Sequence, residues 1–196
     1  MSDYLHGVRV QPLSSAKIRG LTTQIRTVLQ VRPEKLFPVM TFFELAMPKA
    51  MPEFSWMIAE EPLPGGMEAC AYPDGCEDHP GGPFIVLSSR VYEAAHRGDG
   101  RARHTVLHEC GHILLHQQVA VHHRGPIGAE LRPYENSEWQ ASTFAGELLM
   151  PPESFLQHSG LVEFCQCMGV SHQAALVQGK RLVRDQVIPP LEWLAA

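Results

Sequence analysis

The chain has 196 residues, 44% of them hydrophobic and 19% charged, which is enough apolar matter for one packed core and excludes a disordered, collagenous or coiled-coil chain. Sixteen Lys and Arg against 21 Asp and Glu leave a net charge of -5, so no global basic field exists to grip a nucleic-acid backbone or an anionic membrane. Eleven His is the one excess.

Residues 1–10 carry Asp3, His6 and Arg9 with no apolar run behind them, and no later segment approaches the roughly 18 uncharged residues of a membrane span. Five scattered cysteines suit a reducing compartment, so a cytoplasmic protein is expected. Ser14 or Ser15 caps a predicted amphipathic helix in which Ile18, Leu21, Ile25, Val28 and Leu29 form the apolar stripe, ending before Pro33. A second helix is predicted from Val39 to Met47, stopped by Pro48. Phe54 to Ala59, Met67 to Tyr72 and Phe84 to Ser88 then read as three short strands separated by Pro/Gly turns.

Helices follow at Val91 to His96, Arg101 to Gln117 and Glu138 to Met150, the last with a capping-box signature in Ser137 and Gln140 and a stop at Pro151-Pro152. His122 to Tyr134 is a loop, and short helices are expected around Phe155, over Leu161 to Met168 and over His172 to Val187. Helices, then strands, then helices give an α+β fold, a small three-stranded sheet packed against a helical core. We expect a single domain over 1–196, with N-terminal helices in 1–50, the sheet in 51–90, two longer helices in 91–152 and a helical extension in 153–196.

His108-Glu109-Cys110-Gly111-His112 is an H-E-x-x-H run. On a helix its two imidazoles stand one turn apart on one face, close enough for a single Zn²⁺, and the Glu between them can take a proton from water at the metal. Helical phase sets His104, His112 and His116 beside His108, and Val106, Leu107, Cys110 and Ile113 on the opposite, core-facing side. Cys110 is therefore read as a core residue and not a ligand. A third ligand is required. His116 lies about 12 Å along the helix from His108 at roughly 1.5 Å per residue, which closes a tetrahedron poorly. Leu115 and Gln118 stand where a metzincin has Gly and its third His, which excludes that arrangement. A carboxylate from the next helix remains. Glu138 and Glu147 are about half a turn out of phase, and Glu138 shares its side with Ala141, Ser142 and Ala145, whose small size permits close helix approach, so Glu138 is the choice.

These residues resemble the ImmA/IrrE-type metallopeptidases, found among phage and mobile-element antirepressors and bacterial stress regulators. The matching text is His108-Glu109-Cys110-Gly111-His112-Ile113-Leu114-Leu115-His116, then Glu138-Trp139-Gln140-Ala141 leading to Phe144-Ala145 and Leu148-Leu149-Met150-Pro151. The resemblance is strong from about Arg101 to Pro152 and departs from the usual pattern at Cys110. It implies a zincin-like helical core whose zinc-site helices lie in 91–152, with one Zn²⁺ per chain held by His108, His112 and Glu138 and with Glu109 activating water. It also implies a zinc endopeptidase whose partner is a regulatory protein substrate such as a helix-turn-helix repressor, with no nucleic acid or membrane contacted directly. The alternative from another class is a zinc-containing regulator that sequesters a repressor or toxin without cutting it.

Among the other polar residues, His104 and His116 are expected to be solvated or to support the ligands, and Tyr134, Arg132, His116, His122 and His123 are the candidates for stabilising a transition state. Cys70 and Cys76 are expected to flank an Asp74-Gly75 hairpin turn, and Cys165 with Cys167 to pack. The Phe84 to Ser88 strand is placed at the sheet edge beside the cleft, ready to pair with an extended substrate.

Overall fold

A computed structural model describes residues 7–60, 63–77, 79–117 and 132–195. Helix α1 spans Ser15–Val28, and its N-cap Ser14 accepts the Lys17 N–H at 3.3 Å. Its buried face is Ile18, Thr22 and Arg26, while Val28 is exposed, so the stripe read from apolar residues alone is rotated. Arg26 is tolerated inside because its guanidinium donates to the Lys35 carbonyl at 2.8 Å and lies over the Phe37 ring.

A helical run then continues through Pro48, as α2 (Val39–Thr41), a π-helical turn (Phe42–Ala46) and α3 (Met47–Ala50). Pro48 was expected to end it. In the wider turn the Met47 N–H bonds the Phe42 carbonyl, five residues back, and this local widening accommodates the proline ring that would clash in a regular α-helix.

The strands are β1 (Ser55–Ala59), β2 (Ala69–Tyr72) and β3 (Phe84–Ser88), in the order β1-β3-β2. β1 runs parallel to β3, with Trp56 opposite Ile85, and β2 runs antiparallel to it, with Ala71 opposite Ile85. This corrects the expected place of β3. All five of its residues are buried and both its edges are paired, as suits an unbroken apolar run covered on two faces. The edge strands are β1 and β2, and β2 is the one that lies against the helix that carries the histidines.

Helices α4 (Ser89–His96) and α5 (Gly100–Leu115) follow, α5 being capped by Asp99, which accepts the Ala102 N–H at 2.8 Å. After a short 3₁₀ turn at Pro133–Glu135 comes α6 (Ser137–Leu149), then α7 (Pro152–Phe155), α8 (Leu161–Met168), α9 (His172–Arg184) and α10 (Glu192–Ala195). α6 packs on α5 along one side and on α1 along another, and the core of Phe43, Leu87, Leu107, Ile113, Phe144 and Leu148 fills the space between sheet and helices. Cys165 is buried as expected, but Cys167 is exposed.

No helix among the described residues is long and apolar enough to cross a membrane. α8 ends at Gly169, whose φ of 60° suits glycine, and α9 starts three residues on. Arg181, on α9, is committed inward: it donates to Glu147 at 2.8 Å and to Thr143 at 3.0 Å.

Candidate metal centre

The H-E-x-x-H run lies well inside α5. His108 and His112, one turn apart, bring their rings to 4.8 Å between centroids and their Nε2 atoms to 3.1 Å. Glu138 enters from the first turn of α6, its Oε2 3.1 Å from His108 Nε2 and its Oε1 3.3 Å from His112 Nε2. Among the described residues this is the one group of three metal-binding side chains with a ligand atom from each within 4.8 Å of the others. Two imidazole nitrogens and a carboxylate turned toward one point form a donor set that fits Zn²⁺ with one position left open.

Two local features of the sequence make the convergence possible. Gly111 faces α6, where a Cβ would stand 3.1 Å from the Ala141 Cα, so any larger residue at this point of the motif would crowd the approach of the two helix backbones. Asn136 caps α6 by accepting the N–H groups of Glu138 at 2.8 Å and Trp139 at 3.1 Å, fixing the backbone from which the Glu138 carboxylate projects. The Ser137/Gln140 capping box is therefore corrected. Ser137 Oγ accepts the Val8 N–H at 3.0 Å instead, and the N-terminal segment runs beside the turn, Val10 N–H to the Glu135 carbonyl at 2.8 Å and Leu13 N–H to the Tyr134 carbonyl at 2.9 Å.

Glu109 is buried, 8% exposed, beside the group it would serve. Burial raises its pKa above the ordinary carboxylate value, opposed by the nearby His108 and His112 and by the Ala71 backbone N–H, which donates toward it from β2. Burial also works to raise Glu138, yet its hydrogen bonds and attraction to His108 and His112 outweigh that and hold it well below the usual carboxylate range. His108 balances burial, which lowers its pKa, against the Glu138 hydrogen bond, and the net shift is upward. Its Nδ1 meets Ser142 Oγ at 3.1 Å, which steadies the ring.

The other histidines separate. His104 lies next to His108 with ring centroids 6.5 Å apart, and burial pushes its pKa down to about 4. His116 is buried and also lowered to about 4, by burial first and by His112 second; its Nδ1 is 3.1 Å from His112 Nδ1. Tyr134 and Arg132 pair with each other at 2.7 Å on the turn before α6. His122 and His123 lie outside the described residues. Cys110 is fully buried, and burial pushes its thiol well above the ordinary value, in keeping with a core role. Cys70, on β2, feels the charges of both Glu109 and Glu138 and is likewise raised, mainly by burial. Cys76 and His79 exchange backbone hydrogen bonds across a tight turn. Sequence reasoning gave Gln140 only a capping role and missed the Gln11 carbonyl and the Ala71 N–H, backbone groups that leave no side-chain pattern to find.

Residues 72–160 match the family model described as the IrrE N-terminal-like domain, a peptidase family, in line with the resemblance carried by the two helices. The matched stretch contains the whole His108, His112 and Glu138 group. No curated protein matches the chain.

Proposed function

We propose that the protein is a zinc-dependent endopeptidase acting in the cytoplasm on a regulatory protein, with a helix-turn-helix repressor as the expected class of substrate. The observation that carries this reading is the convergence of His108, His112 and Glu138 with the buried Glu109 alongside. Zinc held by those three side chains would polarise the scissile carbonyl and lower the pKa of water at the site. Glu109 takes the proton of the attacking water and returns it to the leaving amine, and the burial that raises its pKa shifts it in the direction a base needs. A carboxylate so placed has no use in pure sequestration.

The edge strand β2 supports an extended substrate. It is the outer strand on the side of the histidine helix, and Ala71 on it already contacts Glu109, so a peptide pairing with β2 would pass beside the base. All five cysteines are free, which fits a reducing compartment.

The test is incubation of the zinc-loaded protein with helix-turn-helix repressors encoded beside its gene. A discrete fragment is expected, and Glu109→Gln should keep zinc and fold while slowing cleavage by about 10²–10⁴-fold, since the amide keeps the shape but accepts no proton. Cleavage by that variant at the wild-type rate removes Glu109 as the base. Tight binding without any fragment favours the sequestering regulator.

A further inference from the structure

Gln140 is completely buried, and its amide is fully committed. Its Nε2 donates to the Gln11 carbonyl and to the Tyr134 carbonyl, both at 2.8 Å, which uses both amide hydrogens. The Oε1 is therefore the atom that faces His116 Nε2 at 3.1 Å, and because an amide oxygen only accepts, that nitrogen must carry a hydrogen. The two ring nitrogens of His116 meet His112 and Gln140 and no carboxylate, so a neutral imidazole is the form this interior accommodates. A neutral ring with hydrogen on Nε2 offers a lone pair on Nδ1. That lone pair lies 3.1 Å from His112 Nδ1, which must then be the donor. His112 is left with a bare Nε2, the atom that points at His108 and Glu138.

We propose that His116 and Gln140 are positioning residues: anchored on the Gln11 and Tyr134 carbonyls, they fix the tautomer and ring orientation of His112 so that its Nε2 lone pair is presented to the metal. The inference rests on the reading of His112 as a ligand. It reaches beyond the matched stretch, because Gln11 lies in the N-terminal segment that runs beside the start of α6, outside residues 72–160. Both amide hydrogens of Gln140 and both ring nitrogens of His116 are engaged, so neither side chain can turn over without stranding a buried polar atom.

Long-range proton–nitrogen correlation spectra of the zinc-loaded, histidine-labelled protein read the tautomers directly, with His116→Asn and His112→Ala used for assignment. His116 is expected to carry its hydrogen on Nε2 and His112 on Nδ1; a hydrogen on His116 Nδ1 overturns the relay. Chelator competition gives the second readout. His116→Phe keeps the bulk and removes the acceptor, and should weaken zinc binding by about 10–100-fold. His116→Asn, whose Oδ1 can stand where Nδ1 stood, should recover most of that loss. Wild-type affinity in His116→Phe, or equal weakening in both variants with circular dichroism unchanged, contradicts the proposal. Undiminished zinc in His112→Ala would instead overturn the underlying metal site, so the two failures are separable.

Discussion

Glu138 and Glu147 stand on one helix, α6, and present the same carboxylate to two different surroundings. Glu138 opens toward α5, is 38% exposed along its side chain, and meets two imidazoles. Glu147 points the other way with no exposure at all. There Arg19 of α1 grips both its oxygens at 3.0 Å, and Arg181 of α9 donates to one of them at 2.8 Å. The first carboxylate faces groups whose protons a metal can replace; the second is neutralised by fixed cations whose charge is permanent and which leave no place for a metal. The surroundings decide the role: one Glu serves the site, and the other ties α1, α6 and α9 together.

The sharpest way to break that contrast is to remove Glu147. Glu147→Ala leaves Arg19 and Arg181 facing a hole and should cost about 3–5 kcal/mol in urea unfolding, while the folded fraction keeps its zinc. A neutral effect on stability would mean that the two arginines find water readily and that the tie is slight. Gly111→Ala tests the helix approach on which Glu138 depends. A Cβ 3.1 Å from Ala141 Cα forces the backbones apart, with an expected loss of about 1–3 kcal/mol and weaker zinc binding as well; a full zinc complement at wild-type affinity would show that close approach is unnecessary. The smallest effect belongs to Asn136→Ala, which removes the cap beneath Glu138 and should lower the melting midpoint by an amount equivalent to about 1 kcal/mol, with zinc retained.

The clustering of His108, His112 and Glu138 was legible in the sequence because its parts are local. H-E-x-x-H sets two imidazoles on one face by helical phase alone, and the small residues around Glu138 mark the face that approaches α5. The resemblance over the same two helices coincides with the matched stretch. The strand order was less legible, although a signal existed: Phe84-Ile85-Val86-Leu87-Ser88 is nearly unbroken apolar sequence, the mark of a strand covered on both faces, and placing it at the edge ignored that. Buried charges were the larger blind spot. No sequence pattern marks Arg26, Arg103 and Glu147 as buried, yet all three are, and Arg103 reaches the Phe37 carbonyl at 2.7 Å and the Met168 carbonyl at 3.1 Å from inside the core. Their partners are distant in sequence or are backbone carbonyls, which no periodicity records. The N-terminal segment beside α6 escaped for the same reason, since it is held largely by peptide hydrogen bonds. At Pro48 a rule about regular helices met a π-helical turn.

The central claim is that the metal is held between α5 and α6 by way of Glu138, and competition with a chromophoric chelator tests it most directly. Zinc affinity is measured for the wild type, Glu138→Ala and Glu147→Ala, each under conditions where circular dichroism shows it folded. The two-helix site predicts about one zinc per chain in the wild type, a loss of affinity beyond about 100-fold in Glu138→Ala, and an affinity close to wild type in Glu147→Ala. Equal affinities for the wild type and Glu138→Ala would contradict it and place the metal, if it binds, on α5 alone.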